Sequence, residues 1–164
     1  LPYFAGSGAP NWDPFARGTL LGLTLAHERA AIARAIMEGV SLETREILEA
    51  MEALGLELKE VRLTGGATKS PLWNQIQADI YGKPCAKLAV DEATTLGAAI
   101  LGGVGAGVFN SLEEAVGEMV RVVETREPNP EAHRRYNELY AIYKDAYQAL
   151  AAAKVYERLA KLTV

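Results

Sequence analysis

The stretch that most constrains this chain is Val61-Arg62-Leu63-Thr64-Gly65-Gly66-Ala67-Thr68-Lys69-Ser70-Pro71-Leu72-Trp73. Val61 to Leu63 alternates as a short strand does, and Thr64-Gly65-Gly66 ends that strand abruptly. Ser70 is a good N-cap and Pro71 a good first helical residue. A helix over 71–81 is therefore expected, with Leu72, Trp73, Ile76 and Ile80 as its buried stripe. A strand, a glycine turn and a helix N-terminus leave free backbone N–H groups at the carboxyl end of a sheet, where α/β folds bind ligands. Two adjacent glycines also let a flat ligand lie against bare backbone. The residues alone leave two readings open, a nucleotide or anion site and a plain strand-to-helix turn. Gly65, Gly66, Lys69 and Ser70 do not make a Walker A loop, because no glycine precedes the lysine and the spacing differs.

The rest of the chain supplies the frame for that turn. Residues 1–18 read as a Gly-, Pro-, Asn- and Asp-rich loop anchored by Trp12 and Phe15, and 18–24 as a short buried strand. A long helix is expected from about Ala26 to Leu54, stopped by Gly55, with Glu43, Glu46, Glu49 and Glu52 on its solvated face. After the helix at 71–81, Gly82-Lys83-Pro84 is a break, 85–89 a second strand, and 94–102 a small helix. Gly97, Ala98 and Ala99 let that small helix approach a neighbouring backbone or a ligand closely. Gly102, Gly103, Gly105 and Gly107 fail the dinucleotide fingerprint in spacing and follow a helix, so they read as its end and a loop. Ser111 caps a further short helix. Glu127-Pro128-Asn129-Pro130 is a breaker before a last helix over 131–162. Its Tyr136, Tyr140, Tyr143, Tyr147 and Leu150, spaced 4, 3, 4 and 3, form one seam for packing on its own domain, or for a dimer or interdomain contact. The amphipathic tail, Ala151 to Val164, is a place for a partner helix, and His133 reads as a surface residue. Strand and helix alternate, which points to an α/β fold with few parallel strands and several long helices.

Composition narrows the function. The apolar share of 49% and charged share of 23% over 164 residues describe an ordinary globular protein with room for one domain. A net charge of −4 gives no basic footprint for nucleic acid, and no apolar run is long enough for a bilayer. The single Cys85 excludes an internal disulfide and fits a reducing, cytoplasmic compartment. Two histidines far from Cys85 make no metal site. The chain opens on Leu1-Pro2-Tyr3-Phe4 rather than on methionine, as a piece of a longer protein would.

Four stretches, in this order, carry a family resemblance. They are Leu1-Pro2-Tyr3 with 9–14 and Ala16-Arg17-Gly18; 18–23 leading to Ala33-Arg34-Ala35-Ile36-Met37-Glu38-Gly39; Thr64 to Trp73 with Gln75 and Ala78-Asp79; and Glu92-Ala93-Thr94-Thr95-Leu96-Gly97-Ala98-Ala99. Together they resemble the carboxyl-terminal part of the FGGY carbohydrate kinases, most closely the xylulose kinases, over nearly the whole chain. Ala31 stands where the family signature carries a polar residue, often histidine, and Gly6-Ser7-Gly8-Ala9-Pro10 where xylulose kinases often carry a Gly-Glu-Arg-Thr-Pro type of loop.

The resemblance implies ATP-dependent phosphoryl transfer to a sugar hydroxyl by two domains of the actin and ribonuclease H type. It makes 1–164 a single partial domain: loop and strand over 1–25, nucleotide-binding core over 26–127, and C-terminal helix over 128–164. It also implies that Gly65 and Gly66 lie against the adenosine, that Ser70 reaches towards adenine, and that Gly97 and Ala98 pack beneath that pocket. The Asp-x-Gly-Thr phosphate loop, the Mg2+ ligands, the sugar pocket and the catalytic base belong upstream of this chain, so no catalytic residue is expected in it. Asp13 and Arg17 either fix an interdomain loop by an ion pair or cap local turns. A free sheet edge makes a homo-oligomer the expected state. Glycerol, gluconate and ribulose kinases share this framework, and an actin-like interaction module without catalysis is the reading from another class.

Overall fold

Backbone pairing in the computed structural model, which describes residues 1–162, joins Val61–Leu63 (β1), Cys85–Leu88 (β2) and Val122–Arg126 (β3) in that spatial order. β1 and β2 run parallel, with Val61 opposite Cys85 and Leu63 opposite Lys87. The parallel pair needs a crossover, and the helix α2 (Pro71–Tyr81) supplies it with the expected bounds. The expected stripe holds at Ile76 and Ile80, which are buried, while Leu72 in the first turn is 52% exposed. Asn74 takes a buried place on this helix instead.

β3 was not expected, and it is antiparallel to β2, pairing Cys85 with Arg126 and Lys87 with Glu124. The helices α3 (Ala93–Gly105) and α4 (Leu112–Met119) lie between β2 and β3 in the chain. Ser111 caps α4 as expected, its Oγ accepting from the Glu114 N–H at 3.2 Å. The Glu114 carboxylate reaches back to the Asn110 N–H at 2.7 Å, so both sides of that helix start are satisfied. Leu63, Ile76, Cys85, Ala86, Leu88 and Ile100 are the buried core around the sheet.

The chain divides into two compact units. The sheet unit comprises Lys59–Ala78 and Lys83–Glu127. The other, helical unit comprises Leu1–Leu58, Asp79–Gly82 and the chain from Pro128 onward. Its helices are α1 (Arg29–Ala53), α5 (Pro130–Ala152) and α6 (Val155–Ala160). Asn129 caps α5, accepting from the Glu131 and Ala132 N–H groups at 3.0 Å each, with Pro130 in the first turn. The expected single last helix is broken after α5, where Lys154 adopts a φ of +53°. The expected tail thus becomes the short α6, and Thr163 and Val164 of that tail lie outside the described residues.

Several expectations for the helical unit change. Residues 18–24 form no strand, and Leu21 is 62% exposed. A strand needs a partner for its N–H and C=O groups, and none of the three strands pairs with this segment. Trp12 is 75% exposed and Phe15 46%, so neither anchors the loop; Tyr3, Ser7 and Ala16 are the buried residues there. Asp13 and Arg17 serve local turns, Asp13 Oδ1 accepting from the Phe15 and Ala16 N–H groups and Arg17 donating to the Pro14 and Ala16 carbonyls. His133 is not a simple surface residue: its Nδ1 lies 2.8 Å from the Asp79 carbonyl oxygen. A Cβ on Gly82 would collide with that imidazole, which is why the break after α2 carries glycine.

The tyrosine seam packs on its own unit. Tyr136 donates to Glu38 at 2.8 Å and Tyr140 to Glu49 at 2.9 Å, while Arg45 lies over the Tyr140 ring at 4.3 Å. Tyr3 and Tyr143 share a hydroxyl hydrogen bond of 2.6 Å in the core, and Tyr147 donates to Asp13. Of the α1 glutamates expected on a solvated face, Glu52 is exposed, while Glu43, Glu46 and Glu49 are partly enclosed, and burial raises the Glu43 and Glu46 carboxyls from their ordinary value. Burial likewise pushes the Tyr3, Tyr140 and Tyr143 phenols up, and Tyr147 up to about 12.

A phenol whose folded pKa lies above its unfolded value of about 10 stabilises fully below that pH and stops doing so as pH rises through the folded value. Urea unfolding is thus expected to show stability falling progressively above about pH 10. Tyr143→Phe strands the buried Tyr3 hydroxyl and should lower stability by about 1–3 kcal/mol at neutral pH, with a shallower alkaline loss.

Candidate functional site

The glycine turn of the sheet unit is built from β1, α2 and the segment before α3. Gly65 has a φ of +87°, a conformation that strains any side chain, so the first glycine is required by the backbone. Its N–H donates to the Asp91 carbonyl at 2.8 Å, and its own carbonyl accepts from the Thr68 N–H at 3.1 Å and Thr68 Oγ1 at 2.8 Å. Residues Gly66–Lys69 wind into a 3-10 turn. Ser70 then caps α2 as expected: its Oγ accepts from the Trp73 N–H at 3.3 Å, which leaves the hydroxyl hydrogen available as a donor.

Asp91 is the junction between this turn and α3. Its carbonyl accepts from Gly65 and, at 3.2 Å, from the Ala93 N–H. Its Oδ1 lies 3.2 Å from Thr68 Oγ1 and its Oδ2 3.8 Å from Lys69 Nζ. From the other side, Asn74 Nδ2 donates to the Thr68 carbonyl at 2.9 Å. Thr68 is buried, and three residues hold it, while Gly66 and Ala67 between the fixed points are exposed.

Sequence reasoning picked out Gly65, Gly66, Ser70, Gly97 and Ala98. The first three lie together in the turn, and Gly97 and Ala98 lie on α3, which starts two residues after Asp91. A Cβ on Gly65, Gly66 or Gly97 would meet no atom within 4 Å. Gly66 and Gly97 also lack the positive φ that would demand glycine. Neither packing nor a positive φ demands glycine at those two positions, as is also true of Gly8, Gly102, Gly105 and Gly117.

Thr68, Asn74 and Asp91 were missed as site residues. Their contacts span the strand, the turn and two helices, and no short spacing announces them. Among the described residues no group of three or more His, Cys, Asp or Glu is arranged to hold a metal ion. No helix among them is long and apolar enough to cross a membrane. A hollow of about 560 Å³ in the helical unit is lined by Arg34, Glu38, Arg135 and Tyr136, but Arg34 is already committed to Glu38 at 2.7 Å and to Tyr136 at 3.1 Å.

Residues 1–106 match the FGGY family of carbohydrate kinases, C-terminal domain. The chain belongs to that family. It is 49% identical over 115 residues to the glycerol kinase of Bordetella parapertussis, covering 70% of this chain and 23% of that one. The ligand-bound xylulose kinase structure from Lactobacillus acidophilus superposes with a TM-score of 0.86 at 30% identity, over 97% of this chain and 32% of that one. The Plasmodium falciparum glycerol kinase crystallised with ADP gives 0.76 at 28% identity, over 90% of this chain and 29% of that one. The chain therefore spans 23% to 32% of the length of these FGGY kinases, and its fold is the α/β, actin-like one of their C-terminal part.

The two adjacent glycines answer to different constraints, and stability separates them. Gly65→Ala should lower the folding free energy by about 1 kcal/mol or more, because the alanine must hold a positive φ. Gly66→Ala meets open space without that strain and should lie within about 0.5 kcal/mol of the parent in urea unfolding.

Proposed function

We propose that this chain is the adenosine-binding portion of an ATP-dependent sugar kinase, with Gly65, Gly66, Ser70, Gly97 and Ala98 as its nucleotide contacts. The observation that carries the reading is the glycine turn itself, in which Gly65 and the exposed Gly66 follow β1 and Ser70 caps α2. The ADP with which the Plasmodium glycerol kinase was crystallised supports a nucleotide as the occupant.

In this reading ATP supplies the transferable phosphoryl group, and the chain's own residues bind and orient the far end of the nucleotide. The glycine turn gives a flat seat, and Ser70 donates towards the base. Phosphoryl transfer further requires a phosphate cradle, Mg2+ on carboxylates and a base for the acceptor hydroxyl. Those groups belong to residues upstream in a full-length kinase, for which 1–164 is one partial domain. We take xylulose as the acceptor, since xylulose kinases recur among the similar solved structures; the 49% identity to a glycerol kinase favours glycerol as the second reading. The single, buried Cys85 supports a cytoplasmic setting.

Calorimetric titration with ADP tests the site. Saturable binding is expected, and Gly66→Val should abolish it while the fold is kept, since its side chain would occupy the seat of the ring. The same chain supplied with Mg·ATP and xylulose should form no phosphorylated sugar. Binding unaffected by Gly66→Val would remove the glycine turn as the site.

We also propose self-association. β1 stands at one edge of the sheet, with β2 as its partner on one side. A second copy adding its own edge strand would satisfy the outer N–H and C=O groups. Light scattering is expected to give a mass above that of one chain, rising with concentration; a monodisperse monomer at high concentration would rule the proposal out.

A further inference from the structure

We infer that Asn74 is a positioning residue for the nucleotide, holding the floor of the glycine turn in the shape the ring requires; the inference rests on reading that turn as the adenosine site. Asn74 is 2% exposed and belongs to α2, just beneath the turn in the chain. Its Nδ2 donates to the Thr68 carbonyl at 2.9 Å, and its N–H donates to the Ser70 carbonyl at 3.1 Å. Its Oδ1 is buried and has no hydrogen-bond partner.

That orphaned oxygen is the informative atom. A buried amide oxygen without a donor is destabilising, and an apolar side chain of similar size would fill the same place without it. The amide therefore does not serve the packing of α2. What it does supply is one donated bond, and that bond ends on Thr68. The Thr68 hydroxyl reaches the Gly65 carbonyl at 2.8 Å and Asp91 Oδ1 at 3.2 Å. Asn74 thus closes a clamp on Thr68 whose other jaw is the Gly65–Asp91 tie. Gly66 has no neighbour within 4 Å of where a side chain would start, so no packing contact restrains it on that side and the turn's hydrogen bonds must. Opening the clamp lets the turn visit other shapes, and a ligand that fits one shape then binds in proportion to the time spent there.

The test is ADP titration of this chain by calorimetry, with urea unfolding measured alongside. Asn74→Leu should raise the ADP Kd about tenfold if the seat-competent shape falls to about a tenth of the population. Its unfolding midpoint should move little, because one unpaired oxygen, Asn74 Oδ1, is exchanged for another, the Thr68 carbonyl. An unchanged Kd overturns the inference, and so does a rise in Kd that comes with an equal loss of folding stability. If Asn74→Leu fails to fold, Thr68→Val reads the same clamp from its other jaw while keeping the side-chain shape. Thr68→Val should also raise the Kd, and an unchanged value overturns the inference. Failure of the unmodified chain to bind ADP would instead retire the adenosine reading and this inference with it, so the two failures are distinguishable.

Discussion

The hydrogen bond from the Gly65 N–H to the Asp91 carbonyl organises the sheet unit. β1 and β2 are parallel neighbours, and this bond joins the residues that follow them, just beyond the carboxyl ends of both strands. The Gly65 backbone must turn to a φ of +87° at this point, which only glycine does without strain. Residues Gly66–Lys69 then wind into the 3-10 turn, and α2 and α3 begin six residues after Gly65 and two after Asp91. Ligands of open α/β sheets bind beyond the carboxyl ends of the strands, which is the end of β1 and β2 at which this tie lies.

The helical unit solves a different problem, that of joining α5 to an acidic α1. Phenol hydroxyls of Tyr136 and Tyr140 meet Glu38 and Glu49, while the rings supply apolar area. A carboxylate in a half-buried place is costly unless a donor faces it, and tyrosine brings both the donor and the surface that buries it. The Arg45 guanidinium over the Tyr140 ring, with its Nε on Glu49 at 2.9 Å, adds a charge between them. Raised pKa values on Glu43, Glu46 and the tyrosines are the electrostatic signature of this enclosure.

Much of this was legible because its causes are local. Ser70 and Ser111 announce helix starts through the chemistry of one side chain on the next N–H groups, and both caps are present. Glycine and proline mark the turn and the breaks for the same reason. The misses have non-local causes. β3 reads Val-Val-Glu-Thr-Arg, without the clean alternation of a half-buried strand, and only pairing with β2 makes it one. Residues 18–24 carry the leucines of a strand but find no partner among the three. The helix break at Lys154 lies in a run with neither glycine nor proline. In the turn, the strand end at Gly65 and Gly66 and the cap at Ser70 were readable from their order. Asp91 and Asn74 were not, since each acts on Thr68 across a change of element.

A seat for a flat ligand imposes a conflict on the residues that form it. The upper surface must be free of side chains, so the packing that usually fixes a loop is denied there. Gly66 shows the conflict directly, exposed and with no neighbour at its missing Cβ position. Rigidity has to come from beneath, through hydrogen bonds to the one residue of the turn that is buried. Thr68 is that residue, and its N–H, hydroxyl and carbonyl are each engaged, with Gly65, with Gly65 and Asp91, and with Asn74. Hydrogen bonds are directional where apolar contact is not, so they fix the peptide planes as well as their distance. The polar ties at Asp91 and Asn74 let the turn be open and held at once.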